Sequence, residues 1–294
     1  MEEKKLSFRE TLATRQKAAR TLVCVGLDPL LEKMPANRWG GLSDAQKVYR
    51  WMKDIVDVTA EYASMFKPQS AHWESIIGGR EALQDLIAYI HEKYPDIMVF
   101  LDCKRGDIGR TQERYKIAHI LMDKADGVNF SPYMGKDCME FFAEKTKPET
   151  AIVGLAYTSN PSAREMQEVR LPDGRQYWEY VAGNIFRWSQ ELGITANAGL
   201  VMAAAYKREN KTYAWHLWRG RRIVGDALWF LIPGIGTQGG YIEETIEKAY
   251  AGPGSVAINS SSEIIFASQE QNFALAAGKK ARELQNQINV ILGW

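Results

Sequence analysis

Ile97-Met-Val-Phe-Leu-Asp-Cys-Lys-Arg-Gly-Asp-Ile-Gly-Arg-Thr111 carries a strand, a turn and a helix start in one stretch. The run from Ile97 to Leu101 is apolar and too short for a helix of its own, which reads as a buried strand. It ends in charge at Asp102 and Lys104. Residues two apart in a strand face the same side, so these two side chains are paired and Cys103 turns away. Gly106 and Gly109 mark the turn, Asp107 sits on it, and helical periodicity runs from 111 to 123.

The same unit recurs outward in both directions. Strand-like runs lie at 21–28, 63–68, 97–104, 127–131, 151–157, 199–203, 228–233 and 255–259. Helical patterns lie between them, as at 44–60, 80–93 and 241–251, and the last spans about 263–291. Eight alternations predict an α/β fold, a TIM-type (β/α)8 barrel, with a doubly wound open sheet as the competing arrangement. The chain's 294 residues suit one such barrel, which takes about 250, so residues 1–294 are expected to form one domain. The irregular stretch 159–175, rich in Ser, Pro, Asp and Gly, is long enough to be a candidate lid.

Composition narrows the function. Hydrophobic residues are 46%, charged residues 25% and the net charge is +1, so nothing in the electrostatics points to nucleic acid or a membrane surface. No run of about 18 apolar residues is present, and the N-terminal MEEKKLSFRE has no apolar signal region. Cys24, Cys103 and Cys138 form no disulfide framework, and His72, His91, His119 and His216 lie far apart. The expectation is a cytoplasmic protein with no metal site. The run Trp218-Arg-Gly-Arg-Arg222 reads as a solvated helix end.

Sites on such barrels sit at the C-terminal ends of the strands. Those ends here are Asp28, Lys67, Asp102 with Lys104, Ser131-Pro132, Thr158-Ser159-Asn160, Pro233-Gly234 and Asn259-Ser260-Ser261. Lys67, Asp102, Lys104 and Asp107 can form an alternating array in which carboxylates keep the ammonium groups charged. A protonated lysine so held can stabilise a carbanion and then protonate it. Spacing alone accommodates a barrel-mouth salt-bridge cluster equally well.

Asp102-Cys-Lys104-Arg-Gly-Asp107-Ile108 resembles the D-x-K-x-x-D-I signature of the orotidine 5′-phosphate decarboxylase family, in the form of its longer, type 2 branch. Further stretches resemble that family in order: Val23-Cys-Val-Gly-Leu-Asp-Pro29, Phe66-Lys-Pro-Gln69 with Glu74, Val128-Asn-Phe-Ser-Pro-Tyr-Met-Gly135, Thr158-Ser-Asn-Pro161 and Pro233-Gly-Ile-Gly-Thr-Gln-Gly-Gly240. The resemblance implies decarboxylation of orotidine 5′-monophosphate to uridine 5′-monophosphate without a cofactor. Lys104 would protonate C6, and Lys67, Asp102 and Asp107 would complete the array. It also implies a homodimer with shared active sites, so that Asp107, Ile108 and Thr111 reach the partner's substrate. Asp28 would bind the ribose, Ser159 and Asn160 the pyrimidine edge, and Pro233, Gly234, Gly236 and Gln238 would line the phosphate side with Ser261 and Ser262.

Ser262 departs from the family pattern, because an arginine that grips the 5′-phosphate is expected there. Tyr241 and Tyr157 also stand where acidic and basic residues are common. Two consequences are open: Arg164 or Arg175 of the lid stretch supplies the phosphate contact, or the substrate is a modified or unphosphorylated orotidine-type nucleoside. The competing chemistries are a metal-assisted sugar-phosphate decarboxylase, where Lys104 would compete with the cation, and a Schiff-base aldolase, which needs a lysine of depressed pKa. A non-catalytic binding barrel is the remaining reading.

Overall fold

A computed structural model describes residues 5–35, 39–143, 149–208, 211–235 and 241–294. The strands are β1 (Val23–Leu27), β2 (Met65–Pro68), β3 (Met98–Arg105), β4 (Gly127–Phe130), β5 (Ala151–Tyr157), β6 (Ala198–Met202), β7 (Tyr206–Arg208), β8 (Lys211–Tyr213), β9 (Trp229–Ile232) and β10 (Val256–Ser260). The helices are α1 (Phe8–Ala19), α2 (Asp44–Thr59), α3 (Ser70–Glu74), α4 (Gly79–Lys93), α5 (Gly109–Lys116), α6 (Asp137–Ala143), α7 (Ala163–Gln167), α8 (Tyr177–Glu191), α9 (Trp215–Val224), α10 (Ile242–Ala249), α11 (Ser262–Ile265) and α12 (Phe273–Leu292). Among the described residues, all strands except β7 and β8 close into one parallel barrel. The (β/α)8 expectation holds. Closure excludes the open sheet, because β1 pairs with β10 through Val23 against Ile258.

Strand alternation divides the barrel into two apolar layers. Val25, Phe66, Val99, Leu101, Val128 and Ile152 point outward into the layer shared with the helices. Cys24, Met65, Met98, Phe100, Val153, Val201, Trp229 and Leu231 point inward. Helix α1, whose Ser7 and Glu10 form a capping box, adds Phe8 and Leu12 to that interior. Phe8 stacks on Trp229 at 5.2 Å, and Trp229 meets Phe100 edge-on at 5.9 Å. Burial of such side chains contributes roughly 1.5–3 kcal/mol each, and it seals the N-terminal end. The polar interior positions are left at the opposite end.

Four elements differ from the sequence reading. The β7–β8 hairpin is antiparallel and gave no signal because its strands are short and basic. The last helical pattern is split into α11 and α12. The Ser268 hydroxyl accepts from the Glu270 amide and donates to Asn272 Oδ1, and such local bonds compete with helix. The stretch 159–175 contains α7 and a bridge between Arg170 and Gln176. Finally, the basic run in α9 is not simply solvated. Arg221 donates to the carbonyls of Ala249, Leu228 and Ser255 at 2.6, 2.7 and 2.7 Å and lies 3.6 Å from the Phe230 ring centroid. Burial lowers its pKa to about 9. Peptide carbonyls at the ends of strands and helices need donors, and this guanidinium serves several of them.

Candidate active site

The inward-facing residues at the C-terminal ends of the strands are mostly polar. Asp28, Lys67, Asp102, Lys104, Asn129, Asn259 and Pro233 line one cavity of about 530 Å³, together with Ser159 and Asn160. Counting inward positions upward makes the reason plain: Met65 is followed by Lys67, Met98 and Phe100 by Asp102 and Lys104, and Ala257 by Asn259. One period-two pattern supplies a dry floor and a charged rim.

Sheet register brings the charges together. Lys67 stands opposite Gly26, and Gln69 bridges to Asp102. Lys67 Nζ lies 3.2 Å from Asp102 Oδ2 and 3.8 Å from Asp28 Oδ2. Lys104 Nζ lies 2.6 Å from Asp102 Oδ1, and the Asn129 amide donates to that same oxygen at 2.6 Å. Asp28 is fixed in turn by the Gln69 backbone N–H at 3.0 Å. Gly26 lets the end of β10 pack against β1, because a Cβ there would lie 2.5 Å from Ser261 Cβ.

Burial alone would push the Lys67 ammonium down, but the carboxylates of Asp28 and Asp102 outweigh it and hold its pKa above the ordinary lysine value. Burial would likewise raise Asp102, yet Lys67 and Lys104, with hydrogen bonds from Lys104 and Asn129, hold it well below the carboxylate range. The array is therefore charged throughout. Cys24, beneath it, is pushed up to about 12 by burial and stays a thiol.

Lys104 has a left-handed backbone, φ 47°. Outside glycine this costs on the order of 1–3 kcal/mol and persists only where the surroundings impose it. Here the Asn129 side chain accepts the Lys104 amide N–H at 2.7 Å, and the β3–β4 register shifts between Leu101 and Arg105. The twist aims the side chain back at Asp102 while leaving it 45% exposed.

Asp107 does not join the cavity of its own chain. Its amide donates to Gln112 Oε1 at 3.1 Å, and its Oδ1 accepts from Ile108 N at 2.8 Å. Within one chain Asp28 stands at the far end of the array, and Asp107 was expected to act in a partner's site. Ile108 and Thr111 are exposed on the adjoining turn and α5. Gly234 borders a second cavity of about 310 Å³ that shares Thr158, Ser159 and Asn160 with the first. Ser261 lies against β1, its buried hydroxyl unpartnered among the described residues. Ser262 is exposed at the start of α11. Gly236 and Gln238 lie outside the described residues.

Asn129 and Gln167 were not singled out from the sequence, whereas Asn259 was read there as a strand end. Asn129 and Asn259 carry a usable signal, since each is an amide at an inward position of an otherwise apolar strand. Gln167 has none, because its role depends on α7 folding back so that its side chain pairs with the amide and hydroxyl of Thr158 at 2.9 and 2.8 Å.

The profile described as "Orotidine 5'-phosphate decarboxylase / HUMPS family" matches residues 21–277. The orotidine 5'-phosphate decarboxylase of Cupriavidus taiwanensis is 38% identical over 286 residues, covering 97% of this chain and 98% of that protein. Among solved structures, Leishmania donovani OMP decarboxylase is 30% identical with a TM-score of 0.79, covering 98% of this chain and 100% of that one. Leishmania donovani UMP synthase is 32% identical with a TM-score of 0.79, and the chain spans 57% of its length. Full-length similarity and a shared barrel together establish that the chain belongs to the orotidine 5'-phosphate decarboxylase / HUMPS family.

Proposed function

We propose that Lys104, Asp102 and Lys67, with Asp107 supplied by a second copy of the chain, carry out the decarboxylation of orotidine 5'-phosphate to uridine 5'-phosphate, the activity named for the chain's near-full-length relatives. The observation that carries these assignments is one buried carboxylate, Asp102, bridging two ammonium groups of which one, Lys104, opens to the cavity. The bond from C6 to the carboxylate breaks, carbon dioxide leaves and the electron pair stays on C6. Lys104 stabilises that charge as it develops and donates a proton to it, then regains one from solvent. Fixed charges need no reorganisation during the step, and this weighs more than repulsion between Asp102 and the departing carboxylate. Ser159 and Asn160 edge the pyrimidine, and Asp28 meets the ribose. A Schiff-base reading is disfavoured because neutral Lys67 is inaccessible beside two carboxylates, and a metal-assisted one because those carboxylates are already held by lysines. Loss of orotate absorbance from orotidine 5'-phosphate, followed with the purified chain, tests the reading. Rapid loss is expected, and no turnover would overturn it.

The site is completed by a second copy of the chain. Asp107, Ile108 and Thr111 face away from their own cavity. Ile108 is 48% exposed and Tyr133 76% exposed, and their turns are packed together, since a Cβ on Gly106 would lie 3.0 Å from Ser131. An apolar patch beside the rim of the site suits an isologous contact. Mixed dimers of Lys104→Ala and Asp107→Ala chains are expected to regain about a quarter of wild-type sites, because random pairing places both lesions in one site of each heterodimer and none in the other. Sites confined to single chains would give no recovery in verified heterodimers. Three free, buried cysteines fit a reducing compartment such as the cytoplasm, and among the described residues no helix is long and apolar enough to cross a membrane.

A further inference from the structure

The substrate of the proposed reaction is a phosphate monoester, so its dianion must meet a cation or a cluster of donors. Among the residues lining the two joined cavities, the basic side chains are Lys67, Lys104 and Arg164. Lys67 and Lys104 are both committed to carboxylates. The end of β10 presents Ser260, Ser261, Ser262 and Glu263, which carry no positive charge. Arg164 is the remaining cation, and among the described residues it has no carboxylate within ion-pairing distance.

Arg164 sits on α7 with its guanidinium 5.8 Å from the ring centroid of Tyr206. That ring is held on several sides. The Tyr157 hydroxyl donates to Glu168 Oε1 at 2.7 Å, so the hydrogen bond of 2.9 Å between Tyr206 and Tyr157 must have Tyr206 as donor. Tyr206 also stacks on Tyr213 at 5.8 Å and meets His216 at 5.6 Å. The nearby carboxylate, Glu168, is occupied by the Tyr157 hydroxyl and by Arg208 at 3.4 Å. Lys207 and Lys211 add positive charge on the same hairpin. The other arginine of the stretch considered for this role is engaged elsewhere. Arg175 pairs with Asp173 at 2.5 Å and lies over Tyr180 at 5.3 Å.

The geometry points to Arg164, seated on Tyr206 and facing Gly234 across the second cavity, as the group that binds the substrate's 5'-phosphate. The inference rests on the proposed reaction. It assigns the phosphate to the space over the ends of β5, β6 and β9, with the orotate ring over β2 and β3. A planar guanidinium can offer two parallel N–H donors to a phosphate, and an aromatic seat fixes its plane without neutralising it.

Binding of uridine 5'-phosphate and of uridine, measured by calorimetry on the whole chain and on Arg164→Ala, tests the assignment. Arg164→Ala is expected to weaken uridine 5'-phosphate about 50-fold, as loss of a charge-paired hydrogen bond does, and to leave uridine within about twofold. Arg164→Lys should regain part of the loss. Equal weakening of both ligands would make Arg164 a structural part of the α7 stretch, and no weakening of either would place the phosphate elsewhere. Each result overturns the assignment. Failure of the unaltered chain to turn over orotidine 5'-phosphate is read separately, in the decarboxylation assay, and would remove the underlying reaction along with it.

Discussion

Lys104→Ala is expected to lower kcat by about 10⁵-fold with the barrel intact. The size follows from the two things lost together, proton transfer at roughly 10²–10⁴-fold and charge stabilisation at roughly 10²–10³-fold. The fold survives because the ammonium is 45% exposed, and because Asp102 keeps Lys67 and the Asn129 amide. Lys104→Gly separates chemistry from strain. At φ 47° glycine avoids the Cβ penalty, so this variant should be as inactive as Lys104→Ala but more stable by about 1 kcal/mol. Single-turnover decarboxylation and denaturant unfolding of both variants give the two readouts. Turnover within about tenfold of wild type would remove Lys104 from the proton-donor role.

Lys67→Met is expected to damage stability as well as rate. The lysine is 4% exposed and stands between Asp28 and Asp102. Removing it leaves two half-buried carboxylates sharing one exposed ammonium. Breaking a buried pair on one side typically costs about 3–5 kcal/mol, and kcat should fall about 10³-fold as Asp102 loses its alignment. The pH dependence gives the sign. Asp102 is held below the carboxylate range in the wild-type fold, so its contribution is present above the unfolded value near 3.9 and is lost only as pH falls through the lower folded value. In Lys67→Met that carboxylate keeps only Lys104 and Asn129, so it is depressed less and protonates at a higher pH. The stability gap between the two proteins should therefore be widest near neutrality and shrink as pH falls through the carboxylate range. The Lys67 ammonium, held above its ordinary value, contributes throughout the range below about 10. A gap independent of pH would show that the Lys67→Met substitution costs only packing.

How much of this was legible beforehand depends on the range of each signal. The apolar runs ending in Lys67, Asp102 and Lys104 are local facts, bounded by glycine and proline, and they place each residue at a strand end. Order and alternation predicted the barrel with an open sheet as the competitor, and only the pairing of β1 with β10 excluded that sheet. The division into inward and outward faces also follows from the two-residue period, which is why the sequence turns Cys103 away from the array, and Cys103 does pack in the outer layer. The resemblance of six stretches in order added the reaction.

Partners were a different matter. That Asp28 rather than Asp107 closes the array within one chain follows from Lys67 standing opposite Gly26 across β1 and β2. Register between strands distant in sequence leaves no local trace. Asn129 contacts Asp102 and the Lys104 amide only because β4 lies beside a shifted β3. The left-handed turn at Lys104 is imposed by that neighbour and opposed by the intrinsic preference of lysine. Arg221 reads as solvated in the sequence because charge next to tryptophan on a helix end suggests it, whereas carbonyls from three separate segments gather around it in space. Arg164 and Arg175 were equivalent candidates until tertiary packing gave one to Asp173 and set the other on Tyr206. The sequence by itself determined which barrel strands exist, which way their side chains alternate and which charged groups stand at their ends, because these depend on neighbours along the chain. Tertiary structure alone decided which of those groups touch, because contact across a closed barrel depends on register, and register is set by the whole sheet at once.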